Sequence, residues 1–135
     1  MARYFQLMIN VDIETAYNIQ KGMQTFMVLN FGNIPEQILH KFRGGEKDTA
    51  ARMYTDEYNK TMRGRLEPGA SIGLHTHDTS SEIIYILKGR GMVLYDGCEE
   101  AVEAGICHYC PKGHSHSLIN NSAEELIFFA VVPEQ

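Results

Sequence analysis

The spacing of apolar and polar positions changes character near residue 50. From Ala50 onward, short strand-like runs recur every ~8–12 residues, each bounded by Gly, Pro, Asp or Ser, the rhythm of a β-sandwich or barrel. It predicts strands over 50–54, 60–66, 72–77, 83–88, 92–95, 99–102, 106–110, 116–120 and 125–132. The turns between them have their own chemistry. Glu67-Pro68-Gly69, Asp78-Thr79-Ser80-Ser81 and Pro111-Lys112-Gly113 break the chain, and Asp96-Gly97 is a strong two-residue hairpin signal.

Upstream the pattern is different. Asp12 to Lys21 reads as one short helix. Asp12 can cap it, Glu14 suits its first turn, Lys21 its last, and Gly22 the position after its end. Thr25 to Phe31 is rich in β-formers and reads as a strand, Asn33 to Glu36 as a turn or a single helical turn, and Gly44-Gly45 as a break. A chain of 135 residues suits one domain. The expected organisation is a single domain over 1–135, with residues 1–44 as an N-terminal helix and strand extension and residues 45–135 as an all-β barrel core.

Composition narrows the partners. Hydrophobic residues make up 44% of the chain, enough for a core, and the formal net charge is -5 with no Lys/Arg-rich block. Nucleic acid is therefore not an expected partner. Met1 to Asp12 lacks the plan of a signal peptide, and Leu126 to Val132 is far too short an apolar run to span a bilayer. Three cysteines form a poor disulfide framework and suit a reducing compartment. The expectation is a soluble, cytoplasmic protein without a membrane partner.

The candidate chemistry lies between residues 69 and 120. Side chains alternate along a strand, so His75 and His77 face the same way. A straight continuation would turn Glu82 to the opposite face. Asp78 to Ser81 folds the chain back, and Glu82 can then open the returning strand toward the same interior. Pro111-Lys112-Gly113 repeats the logic and brings in His116 on the next strand. Three neutral imidazoles and one carboxylate suit a divalent Fe, Mn, Ni, Co, Cu or Zn ion better than Ca or Mg. One carboxylate leaves such an ion net positive, so the site should attract an anionic or enolate oxygen. A four-coordinate, closed zinc is the structural alternative.

Other residues compete for attention. Cys107 and Cys110 stand three apart, so in a strand their sulfurs point to opposite faces and cannot share a metal; both read as small buried apolar residues. His114, beside the second hairpin, is a candidate outer-shell or acid/base residue, whereas His40 and His108 read as bland. Arg52, Arg63 and Arg65 lie on early strands, where one could enter the cavity and clamp a carboxylate, although solvated strand faces are the commoner explanation. Ile84, Ile86 and Leu118 follow the candidate ligands at even spacing and are the expected apolar wall. No catalytic residue beyond these is identifiable.

The spacing Gly69-x5-His75-x-His77-x4-Glu82-x6-Gly89 resembles the first motif of the cupin superfamily. Gly105-x5-Pro111-x-Gly113-x2-His116-x3-Asn120 resembles the second, and the 15-residue segment between them is that of small single-domain bacterial cupins. The resemblance implies a double-stranded β-helix, a jelly-roll barrel with a metal in its mouth. It implies metal ligation by His75, His77, Glu82 and His116, a structural Asn120, a small-molecule ligand and a homodimer. Three functions are compatible with it. The first is a metalloenzyme (dioxygenase, decarboxylase, isomerase or lyase) acting on a small oxygen-rich chelating molecule. The others are a non-catalytic ligand-binding or sensing barrel and a barrel closed on a structural zinc.

Overall fold

A computed structural model describes residues 27–135 of the chain. The expected helix over residues 12–21 and the first two residues of the expected Thr25–Phe31 strand lie outside the described residues. The described remainder of that strand does not form. Residues 27–30 have no regular structure, and Phe31–Asn33 make a 3-10 turn. The carbonyls of Phe31, Gly32 and Ile34 converge on Arg52 Nη1, at 3.3, 3.1 and 2.8 Å, rather than on a neighbouring strand.

Ten strands follow, β1 (Gln37–His40), β2 (Asp48–Thr55), β3 (Asn59–Leu66), β4 (Ser71–Thr76), β5 (Glu82–Lys88), β6 (Arg90–Tyr95), β7 (Cys98–Glu103), β8 (Cys107–Cys110), β9 (Ser115–Ile119) and β10 (Leu126–Pro133). They build two antiparallel sheets. One has the order β1-β2-β3-β10-β5-β8, the other β4-β9-β6-β7. This is the double-stranded β-helix that the resemblance implied, and one form of the sandwich or barrel that the strand rhythm predicted. β1 was not legible in the sequence, because none of its four residues is buried and alternation leaves no trace there. The Asp96-Gly97 hairpin forms as predicted, with both residues at positive φ (45° and 83°).

The core lies between the two sheets. Met62, Leu66, Ile84, Ile86 and Phe128 enter from the larger sheet, and Ile72, Val93 and Leu118 from the smaller one. β5 shows the alternation plainly: Glu82, Ile84 and Ile86 are buried while Ile83, Tyr85 and Leu87 are exposed. Phe128 lies directly across from Gly64, where any Cβ would collide with its ring. Asn120 is fully buried and structural, donating from Nδ2 to the carbonyls of Leu66 and Glu124 at 2.8 Å. Residues 31–135 form one compact unit.

Candidate metal centre and its cavity

The first histidine is aimed by an irregularity in β4. The pairing of β4 with β9 slips by one residue between Ile72 and His75, so His75 lands directly opposite His116. Gly73, inside the irregularity, offers its carbonyl to His75 Nδ1 at 2.7 Å. A carbonyl only accepts, so His75 carries its proton on Nδ1 and turns a lone pair on Nε2 inward. His77 follows the end of β4, held by backbone bonds to His114 O (3.0 Å) and from Gly113 N (2.6 Å). Its Nδ1 reaches Ser80 Oγ at 3.0 Å. Glu82 opens β5 on the other sheet, as the turn chemistry of residues 78–81 requires.

The four side chains meet. Their ligand atoms all lie within 4.8 Å of one another. Glu82 Oε2 stands 2.7 Å from His116 Nε2, 3.0 Å from His77 Nε2 and 3.7 Å from His75 Nε2. His77 Nε2 and His116 Nε2 are 3.0 Å apart. His77, Glu82 and His116 are buried, and His75 is 14% exposed. Burial pushes the Glu82 carboxyl up, but the surrounding imidazoles of His116, His75 and His77 outweigh it and hold the group well below the usual carboxylate range. A carboxylate oxygen and inward-facing imidazole nitrogens at such separations are a donor set short of positive charge. The cluster therefore fits a divalent cation, and it fits the nitrogen-preferring transition metals better than Ca or Mg.

Each imidazole is gripped at its far nitrogen, which is how metal-binding histidines are usually oriented. His75 is gripped by Gly73 O, His77 by Ser80 Oγ, and His116 Nδ1 by His108 Nε2 at 2.9 Å. The last of these corrects the bland reading of His108. It is buried, and its pKa is pushed down to about 4, first by burial and then by the nearby His116. Strand parity carried the signal. β8 buries His108 and Cys110 and exposes Cys107 and Tyr109. Cys107 is thus not the buried residue expected, while Cys110 is.

A cavity of about 460 Å³ opens in front of the cluster, with His75, His77 and Glu82 in its wall. That volume is in the range of small-molecule sites. Its apolar lining differs from the expected one: Phe42, Met62, Ile72 and Val132 form it, while Ile84, Ile86 and Leu118 lie in the core. None of Arg52, Arg63 and Arg65 lines it. Arg65 grips Glu36 through two bonds (2.9 and 2.6 Å) and Glu125 through a third (3.1 Å). The arginine that does line it is Arg43, next to the Gly44-Gly45 break, where the sequence carried no strand pattern. The His114 ring bonds Asp96 Oδ2 at 2.5 Å and Tyr95 OH at 3.1 Å, and it is not part of the cavity wall. Its backbone carbonyl is the part that braces His77.

Comparison with known proteins agrees with this architecture. The family model described as "Cupin domain" matches residues 62–132, more than half of the chain. An oxalate-binding protein of Thermotoga maritima is 34% identical over 114 residues, covering 80% of this chain and 94% of its own. The crystal structure of a predicted oxalate decarboxylase from Thermotoga maritima superimposes with a TM-score of 0.76 at 30% identity, covering 81% of this chain and all of that one. The polyketide cyclase RemF from Streptomyces resistomycificus shares the fold alone, with a TM-score of 0.68 at 20% identity over 81% of this chain and 80% of its own. Motif spacing, barrel topology, family match and close relatives converge, and the chain belongs to the cupin domain family.

Proposed function

We propose that this cupin holds one divalent transition metal through His75, His77, Glu82 and His116, and that it binds a small chelating carboxylic acid of the oxalate type in the adjoining cavity. The observation that carries the reading is the convergence of four ligand atoms within 4.8 Å beside a cavity of about 460 Å³. The kinship with an oxalate-binding protein supports the choice of acid. A bound dication supplies a Lewis-acid centre that polarises a chelated carboxylate. The chain's own part is to aim three imidazoles inward, to keep Glu82 ionised, and to restrict water with Met62, Ile72 and Val132. Decarboxylation is the reaction we propose first, on the likeness to the structure of a predicted oxalate decarboxylase. Binding without turnover is the second reading, favoured by the name of the other relative. An open cavity supports both over a closed structural zinc.

The test is elemental analysis of protein purified without added metal, followed by oxalate titration and assay of formate and CO2. One metal per chain and saturable oxalate binding are expected. His77→Ala should lose most of the metal while the barrel still folds. Full metal content in that variant would disprove the ligand assignment. Formate release decides for the enzyme, and binding without product decides for the sensor.

We place the protein in the cytoplasm and expect a homodimer. Free cysteines support the first. Among the described residues, no helix is long and apolar enough to cross a membrane. The exposed row Ile83, Tyr85, Leu87 and Tyr109 supports the second.

A further inference from the structure

The cavity wall carries two cationic side chains that the ligand set does not explain. Arg43 and Lys60 line it together with His75, His77 and Glu82, and neither makes an ion pair among the described residues. Of the acidic groups in the same wall, Asp56 Oδ1 already accepts the amides of Tyr58 and Asn59 at 2.9 and 2.8 Å. Asp78 and Glu134 are exposed, as is Arg43, and Lys60 is half-buried.

The backbone at Arg43 is unusual. The residue sits in the 3-10 segment Phe42–Gly44 with φ 56° and ψ 25°, the left-handed region that a side chain disfavours and glycine does not. Its surroundings hold it there. Gly44 N bonds Lys41 O at 2.8 Å, Gly45 N bonds Phe42 O at 3.0 Å, and Lys41 N bonds Lys47 O at 2.9 Å. The segment presses on β4 through two side-chain-free positions. A Cβ on Gly73 would overlap the Arg43 carbonyl, and one on Gly45 would overlap the Ser71 carbonyl. The guanidinium carbon lies 5.7 Å from the centre of the Phe42 ring, within cation–π reach. Gly73 also accepts from the first ligand, His75, so one residue braces both the arginine segment and the metal cluster. A strained residue that its neighbours over-determine, at the wall of a ligand cavity, points to a role for its side chain.

Building on the proposed function, we infer that Arg43 is the carboxylate clamp of this cavity. It pairs with the outward oxygens of an acid whose other oxygens face the His/Glu cluster, with Lys60 adding positive charge to the same wall. The site then selects small dicarboxylates over chelating acids with one carboxylate, because only the former fill both ends. A guanidinium suits this because it is always charged and presents a planar fork to a carboxylate.

The test is calorimetric titration of Mn(II)-loaded protein with oxalate and with glycolate, for the wild type, Arg43→Met, Arg43→Lys and Arg43→Gly. The methionine and glycine variants should weaken oxalate at least tenfold and glycolate less than twofold, with lysine between them and manganese content unchanged. The melting temperature of Arg43→Gly should be no lower than that of the wild type, since glycine relieves the left-handed backbone. Unchanged oxalate affinity in Arg43→Met would overturn the clamp and leave the oxalate reading intact. A wild type that binds neither acid would overturn both. Equal loss of oxalate and glycolate, with a lowered melting temperature in Arg43→Gly, would make Arg43 a structural residue and overturn the clamp.

Discussion

His108 and Cys107 are neighbours with opposite surroundings, and the difference is one step of strand parity. His108 shares a face with Cys110 and stands across from Ile84, so it turns inward and meets His116. Read singly, a histidine in an apolar strand carries no sign of this. Read against the register of β5 and β8, it has to join the cluster. Its contact fixes the ring of His116, and such partners are worth about 10–100-fold in metal affinity. His108→Phe should therefore weaken metal binding by about that factor with the barrel still folded, measured by competition with a chromophoric chelator. Undiminished affinity would mean that β9 alone orients His116. The meeting of the four candidate ligands was legible because two-residue and turn spacings translate directly into faces. Arg43 was not, because its place in the wall depends on a left-handed backbone that no periodicity encodes.

At the scale of elements, one weak point is a place where two chain segments touch without a side chain between them. Gly73 lies within the slip in β4, and its missing Cβ makes room for the Phe42–Gly44 segment. Gly73→Ala should destabilise the protein by about 1–3 kcal/mol, the range for steric intrusion at a packed site, and should disturb His75 as well. Chemical denaturation together with metal content would check both effects. Ion pairing acts more gently. Arg65 on β3 ties down Glu36, ahead of β1, and Glu125, ahead of β10. Its hydrogen bond to Glu36 lowers that carboxyl below the ordinary 4.5. A lowered carboxyl stabilises the fold above its ordinary value, and that contribution is lost as pH falls through the lowered one. The stability difference between the wild type and Glu36→Gln should thus be present at neutral pH, stay below about 1 kcal/mol because the pair is half-exposed, and shrink below pH 4.5. A difference that grew on acidification would contradict the sign.

The whole barrel was the most readable level, since nearly every strand after residue 48 keeps one face apolar and is closed by a turn with its own chemistry. What escaped was β1, an edge strand with nothing to bury. The outer face of the larger sheet is the converse case. There Ile83, Tyr85 and Tyr109 are exposed, with Tyr109 directly across from Ile83. A contiguous apolar face of this kind is a docking surface more often than an accident, and the homodimer proposed above would cover it. Tyr85→Glu with Ile83→Lys should shift light scattering from a dimer to the monomer mass of 15.3 kDa. A wild type that is already monomeric at micromolar concentration would refute the assembly.

The ligand cluster does not belong to one sheet. His75 and His116 stand on the smaller sheet and Glu82 on the larger. An ion seated among them would rivet the two layers together. Parting the layers would then break its bonds to one of them. Amide hydrogen exchange along β5 should accordingly be slower in the metal-loaded protein than in the metal-free one. At a free metal concentration about 100 times its dissociation constant, the rivet would add about 2.7 kcal/mol to the fold, so a chelator should loosen the whole barrel and not only empty its mouth.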